Sequence, residues 1–442
     1  MIRRDVPNRL AIADDEPPGM DCFGEDREAL NDLAKYFNNA HLSDVNVIVG
    51  DETFPAHRLI LAKSSDIFER MLSQRWNGDK KDMEVVEEPH CQKVFAPFLR
   101  FLYCNHVVLH QDNCLPILIL ADKYNVTSLK KVCIDYAERE ILPILPLNEV
   151  FCVWFSYATK AFHQTLIRTC IQTIARDFET VFSEEWQSNW LSLDRDQLIE
   201  LLRCNQAVIS NEYKLWEAVL KWLQAPNHPE RRGTTATPLL SQILPLIRFA
   251  FMTADELNQV EKCPITEQFP KLFHPLLLAA YKWQALSLNS RCSQKEFTTT
   301  QFLLRKYTDT RWDKTVSVPM DDLSKADHAY SFTTRSCTFP EQTWSWILKL
   351  STSPYSNNDD CFHIYLIAEN IDNPRSVEFM LSFVDEKKVV RSVTGKKNFT
   401  KTRYSTELEL ERRVEVSELT SGDSPLVVGG DLYLQLTLKP IE

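Results

Sequence analysis

The spacing of apolar residues changes twice along this chain of 442 residues, and those changes limit what it can fold into. Up to about residue 140, short alternating and helical stretches are interleaved. From about 141 to 290, apolar residues recur at three and four, the helical spacing. In "SNEYKLWEAVLKWLQ", Leu215, Val219 and Trp222 share one face. From 297 onward the period falls to two: "SWILKLS", "FHIYLIAE", "VEFMLSFV", "ELELER" and "DLYLQLTLK" alternate apolar with polar residues. A helix repeats every 3.6 residues and a strand every two, so one pattern does not serve as the other. The expectation is a multidomain chain: an α/β domain, an all-α domain and an all-β antiparallel sandwich. The expected bounds are a flexible tail over 1–26, then domains over 27–140, 141–290 and 297–442.

Within 27–140, Leu30, Leu33 and Phe37 recur at helical spacing. Val45, Val47 and Val49 predict a strand, "GDET" turns it, and "TFPAH" begins the return strand. Pro55 marks the expected switch to the short helix "AHRLILAKS". Asp66 is the expected cap of the next helix, with Glu69 as its capping-box partner. "MEVVEE" predicts a third strand. Phe95, Phe98, Leu99 and Leu102 form a helical stripe, and "LPILILADKYN" and "SLKKVCIDYAERE" predict two more helices. Further on, "APNHPERRGTTATP" is expected as a polar loop, and Gly429-Gly430-Asp431 as a hairpin turn into the last strand.

Composition narrows the function classes. The net charge is −11, against the basic face that a nucleic-acid backbone requires, so no nucleic-acid partner is expected. The apolar runs are far shorter than the roughly 20 residues that span a bilayer, so no membrane partner is expected. The first residues lack a signal-peptide core. Twelve cysteines, none spaced as a zinc knuckle, predict buried thiols in a reducing compartment, hence cytoplasm or nucleus. Glycine is scarce, at nine residues, and neither phosphate-binding glycine motif occurs, nor G-x-S-x-G, nor H-E-x-x-H. No enzyme and no cofactor are expected. "NNDDCFH", residues 357–363, gathers possible metal ligands, but no second cluster stands at a fixed spacing, and no metal is expected.

The densest chemistry lies in "SDVNVIVGDETFPAHRLILAKSSDIFERML", residues 43–72, where Asp44, His57 and Arg58 stand among aliphatic residues. A catalytic role needs a nucleophile or metal in a cleft. Ser64 and Ser65 are better read as helix-start residues. The trio is therefore expected to build structure.

Residues 28–140, through "LSDVNVIV", "FPAHRLILAKSSDIFERML", "FLRFLYC" and "ILADKYNVTSLKKVC", resemble a BTB/POZ domain. "LLRCNQAVISNEYKLWEAVLKWL" and "LPLIRFAFMTADEL" resemble a BACK domain. The C-terminal strands, with "YSFTTRSCTFPEQTWSWILKL" and "FHIYLIAENID", are similar to a TRAF or MATH-like fold. The first resemblance implies a homodimer whose interface uses Leu30, Leu33, Tyr36, Phe37, Asp44 and Arg58. It implies a buried structural role for His57. It also implies a substrate adaptor of cullin-3 ubiquitin ligases, the BTB and BACK domains gripping the cullin and the third domain holding an unknown protein substrate. Family members often carry a hydrophobic residue, any residue, then Glu after "ERML". Here Trp76-Asn77-Gly78 stands in that place, followed by Asp79, so the apolar anchor is kept and the Glu is missing. Tyr124 is the second candidate cullin contact. The alternative is a BTB scaffold that does not bind cullin. The MATH-like resemblance implies peptide capture at a sheet edge. Trp344, Trp346, Phe362 and Tyr365 are candidate pocket residues, although strand alternation sends most of them into the core.

Overall fold

The computed structural model describes residues 26–441 apart from 74–79, 321–327, 336–342, 352–360, 409–413, 422–423 and 429. The chain forms two compact units, Met1–Ile141 and Leu142–Glu442. The expected tail falls almost wholly outside the described residues, and Trp76 and Gly78 fall outside them too.

The first unit opens with helix α1 (Asp26–Ala34), followed by strands β1 (Val45–Val49) and β2 (Glu52–Ala56). These strands are antiparallel, with Val47 opposite Phe54 and Val49 opposite Glu52. That register leaves a two-residue turn at Gly50-Asp51. Gly50 takes φ +58°, where L side chains are strained, and a Cβ there would meet Gln92 Oε1 at 2.8 Å. Val45, Val47 and Val49 all point into the core, while Asn46 and Ile48 are half-buried. Strand β3 (Asp82–Val85) runs parallel to β1 on its other side. β2 is therefore an edge strand, which explains why Pro55 lies inside it, opposite Asn46, rather than ending it: proline costs no ladder bond on an edge.

Helix α2 (Arg58–Ser64) leads directly to α3 (Asp66–Met71). The cap of α3 is Ser65, not Asp66: the Phe68 amide donates to Ser65 Oγ at 3.1 Å, and Ser65 has the extended backbone a cap requires. Asp66 sits in the first turn, where its charge complements the helix dipole. Helices α4 (Pro89–Gln92), α5 (Phe95–Cys104), α6 (Gln111–Lys123) and α7 (Thr127–Tyr136) complete the layer. Phe68, Phe95, Phe98, Leu99, Leu118 and Leu129 are fully buried, each contributing about 1.5–3 kcal/mol of burial.

The second unit begins with helices between Leu147 and Cys292. Trp190, Trp216 and Trp222 are buried within them. Each buried indole N–H needs an acceptor. Trp190 Nε1 donates to the Ala218 carbonyl at 2.8 Å, and Trp222 Nε1 to that of Leu193 at 2.9 Å. The expected polar loop "APNHPERRGTTATP" is held by Arg231, which is buried over the Trp222 ring and donates to the carbonyls of Leu191, Trp222 and Leu193. Where no strand was expected, β4 (Val208–Ile209) pairs in parallel with β5 (Lys306–Tyr307).

Among the described residues nine further strands follow: β6 (Asp313–Pro319), β7 (His328–Arg335), β8 (Thr343–Ser351), β9 (His363–Glu369), β10 (Arg375–Val384), β11 (Val389–Phe399), β12 (Ser405–Glu407), β13 (Val427–Val428) and β14 (Asp431–Pro440). They form two antiparallel sheets, β11-β10-β14, extended by β6 and β13, and β12-β9-β8-β7. A common core of Trp346, Leu348, Leu366, Leu381, Phe383, Leu434 and Leu436 lies between them. β13 and β14 pair with Val428 opposite Asp431 and Gly430 at φ +90°, in line with the expected hairpin into the last strand, of which Gly429 lies outside the described residues. Trp346 and Phe362 are in the core, and Trp344 packs against it.

The outer face of the first sheet is also covered. Met380, on β10, belongs to a second apolar cluster with Phe251, Trp283, Leu288, Phe297 and Phe302 from the helical part. Gln435 of β14 accepts from the Leu304 amide at 3.0 Å and donates to the Phe302 carbonyl at 2.9 Å. β10 is accordingly buried on both faces, unlike the one-sided pattern of an open sandwich.

Candidate interaction surface

The residues expected at a dimer interface, and Tyr124, lie in the first unit. The half-buried stripe of Leu30, Leu33, Tyr36 and Phe37 on and just after α1 lies over α5 and its neighbours. The Phe37 ring meets Tyr103 edge-on at 5.9 Å, and Tyr36 meets His57 at 5.8 Å. Within one chain, then, the stripe is partly satisfied by its own core and keeps part of its surface open.

Asp44, His57 and Arg58 come together, but not as an ion pair. Asp44 Oδ1 accepts from the main-chain amide of Arg58 at 2.8 Å, so an exposed carboxylate just ahead of β1 caps α2 from a distance. His57, in the cap position of α2, makes no side-chain cap of its own. The Arg58 guanidinium turns away and donates to the carbonyls of Leu72, at 3.2 Å, and Lys80, at 2.5 Å. Asp44 is exposed and is met by a main-chain donor, whereas the Arg58 guanidinium serves the two carbonyls. His57 Nδ1 lies 3.0 Å from Tyr103 Oη, and its Nε2 lies 2.9 Å from the His41 carbonyl oxygen. Burial pushes the Tyr103 phenol up to about 12, holding it neutral as a donor at ordinary pH.

Tyr124 is placed differently from a contact residue. It is 1% exposed, and its ring stacks on Phe68 at 4.4 Å with the planes 5° apart. Its hydroxyl donates to Glu87 Oε1 at 2.5 Å, and Lys123 Nζ lies 2.9 Å from the same oxygen. Burial and the Glu87 carboxylate both drive the Tyr124 phenol well above its ordinary value. With its side chain enclosed by Phe68, Phe95 and Phe98, Tyr124 cannot present it to a cullin. Sequence reasoning missed Glu87: at the end of "MEVVEE" it resembles any surface acid, and only its partner at position 124 marks it as buried. The acid–cysteine–histidine stretch also resolves in part: His363 Nδ1 and Glu407 Oε1 lie 2.6 Å apart across β9 and β12, while 357–360 lie outside the described residues. Among the described residues no group of three or more metal-ligating side chains occurs, and no helix is long and apolar enough to cross a membrane.

An α/β first unit followed by a helical region is the arrangement that two family models match in this chain. Residues 33–141 match the BTB/POZ domain, and 151–262 match the BACK domain, BTB And C-terminal Kelch. The chain therefore contains a BTB/POZ domain followed by a BACK domain. It is similar to BTB/POZ domain-containing protein 17 of Xenopus laevis, 24% identical over 283 residues, which cover 64% of this chain and 56% of that protein. It is also similar to human BTB/POZ domain-containing protein 6, 30% identical over 254 residues, covering 54% of this chain and 44% of that protein. Human Kelch-like protein 25 is 24% identical over 230 residues, covering 52% of this chain and 36% of that protein. The chain spans about half the length of the BTB/POZ domain-containing relatives it matches. Neither matched model is that of a catalytic domain.

Proposed function

We propose that the chain is a non-enzymatic, dimeric adaptor that presents a protein substrate to a cullin-3 ubiquitin ligase. The BTB/POZ and BACK domains contact the cullin, and the C-terminal sheets, read as a TRAF or MATH-like sandwich over 297–442, hold the substrate. The observation that carries this reading is the BTB–BACK pair, in a chain similar to a Kelch-like protein. The open part of the α1 stripe supports a two-fold contact through Leu30, Leu33, Tyr36 and Phe37. The work is expected in the cytoplasm or nucleus.

The test is co-purification of the full chain with the N-terminal domain of cullin-3. A stable complex that Trp76→Ala weakens at least tenfold supports the reading. No complex, where a control adaptor forms one, overturns it. A cullin-independent scaffold is the second reading, favoured by Gly78 standing where family members often carry Glu. Solution scattering at micromolar concentration tests the dimer: a strictly monomeric particle removes it from both readings.

A further inference from the structure

Where the helical part meets β6 and β14, a cleft of about 260 Å³ gathers three cationic side chains, Arg291, Arg311 and Lys439, beside Phe251, Trp283 and Leu438. In a chain of net charge −11 this is against the trend. Arg291 is only 8% exposed. Its guanidinium lies 4.6 Å from the Trp283 ring centroid, its Nη2 reaches the Gln284 carbonyl at a long 3.4 Å, and its buried Nε has no hydrogen-bond partner. Lys439 Nζ donates to the Leu286 carbonyl at 3.3 Å. Among the described residues neither Arg291 nor Lys439 has a carboxylate within ion-pair distance. Arg311 donates through Nη2 to the Phe251 carbonyl at 2.7 Å, and its Nε stands 3.8 Å from Asp313 Oδ2.

Burying a cation without a counter-charge is costly, and such a site gains from any anion that reaches it. Burial lowers the pKa of Arg291; for Lys439, burial is joined by repulsion from Arg291. Among the described residues the acids that bear on Arg291 are Asp313 and Glu378. Three positive and two negative formal charges leave one positive charge over. A monoanion balances it, whereas a dianion such as phosphate overshoots and meets Asp313. The aromatic and aliphatic walls fit an apolar neighbour beside the anion, and the volume suits one or two side chains.

We propose that this cleft binds the side-chain carboxylate of an Asp or Glu, flanked by an apolar residue, in a segment of a partner protein. The inference rests on the reading of the C-terminal region as the part that holds a partner, and it adds what chemistry that partner offers. Arg291 and Lys439 supply the charge, Arg311 is held between the ligand and Asp313, and Trp283 orients Arg291 from behind.

The experiment is selection of a random heptapeptide library displayed on phage against the full chain, followed by titration of the enriched peptides as C-terminal amides. Enrichment of an acidic residue next to an apolar one is expected. Affinity should fall at least tenfold when that Glu or Asp is changed to its amide. A similar loss is expected with Arg291→Met and, independently, with Lys439→Met, each checked for an unchanged melting midpoint. Acidic peptides that bind both variants undiminished overturn the assignment, as does a selection with no binders. Enriched peptides that lack an acid but depend on the C-terminal strands overturn it while leaving the partner-holding reading intact. Binding only as free acids assigns the cleft to a chain terminus rather than to a side chain.

Discussion

Glu212 and Arg305 meet at 3.2 Å with neither side chain exposed, and they join the helical part of the second unit to the segment that leads into the sheets. Glu212 Oε2 also accepts from Tyr307 Oη at 2.7 Å, and its Oε1 accepts from the Arg248 amide at 2.9 Å. Arg305 further donates to the Leu202, Cys204 and Leu246 carbonyls, and Arg248 to the Leu303 carbonyl. A buried pair with this many satisfied partners is expensive to break on one side only. Arg305→Met is expected to cost about 3–5 kcal/mol, and Glu212→Leu with Arg305→Met together substantially less, read as urea midpoints of the full chain.

The same carboxylate sets an acid limit. Burial pushes the Glu212 carboxyl up, but Arg305 and Arg248 outweigh it and hold it below the ordinary value. A lowered folded pKa contributes stability that is present above the unfolded value, near 4.3, and is lost as pH falls through the folded one. Melting midpoints between pH 7 and 3 should therefore fall on the acid side, and Glu212→Gln should flatten that limb while lowering the neutral-pH midpoint.

Tyr124 separates folding from binding. Tyr124→Ala removes the ring stacked on Phe68 and is expected to cost about 3–5 kcal/mol. Tyr124→Phe keeps the stack, removes one donor from Glu87, and should cost about 1–3 kcal/mol. If cullin-3 binds, Tyr124→Phe should leave its affinity within about twofold of the parent chain; a tenfold loss in a folded variant would show that the tyrosine is reached after all.

Asp44→Ala should destabilise the first unit by about 1 kcal/mol through loss of the α2 cap, and Asp44→Asn should largely retain it, since an amide oxygen accepts the same bond. Chemical denaturation of both variants checks this. If the chain dimerises, an Asp44→Asn variant that folds normally but stays monomeric would place the charge itself in the contact between copies.

Tyr103 gives an alkaline signature. With its folded pKa raised to about 12, its contribution is fully present below the unfolded value near 10 and is lost as pH rises through 12. Phenolate absorbance should show a tyrosine class that ionises late, diminished in Tyr103→Phe.

The parts of this fold legible in the sequence are those governed by one local period. β8, β9, β10 and β14 show a period of two in the sequence, although β10 is buried on both faces, and the Glu212–Leu223 helix shows its buried face in Leu215, Val219 and Trp222. β11 escaped because Arg391, Lys396 and Lys397 lie along it and its burial is mostly partial, so no alternation stands out. The α3 cap was displaced by one residue because Ser and Asp are both good caps, and only backbone geometry chooses between them. Arg231, Arg248, Arg291 and Arg305 resemble surface charges in one dimension. Burial of Arg231, Arg248 and Arg305 depends on carbonyls brought from tens of residues away, as does the enclosure of Tyr124 by Phe68, whereas Arg291 is held by Trp283 and the Gln284 carbonyl, eight and seven residues before it.

Met380 lies on a strand whose two faces belong to different cores. Grafting the C-terminal sheets onto another carrier would lay bare that face and the Phe251–Trp283–Phe302 surface it covers, while taking Arg305 away from Glu212. The joint is itself part of what keeps both neighbours folded, so the sheets cannot be exchanged as a separate module without cost to the helices.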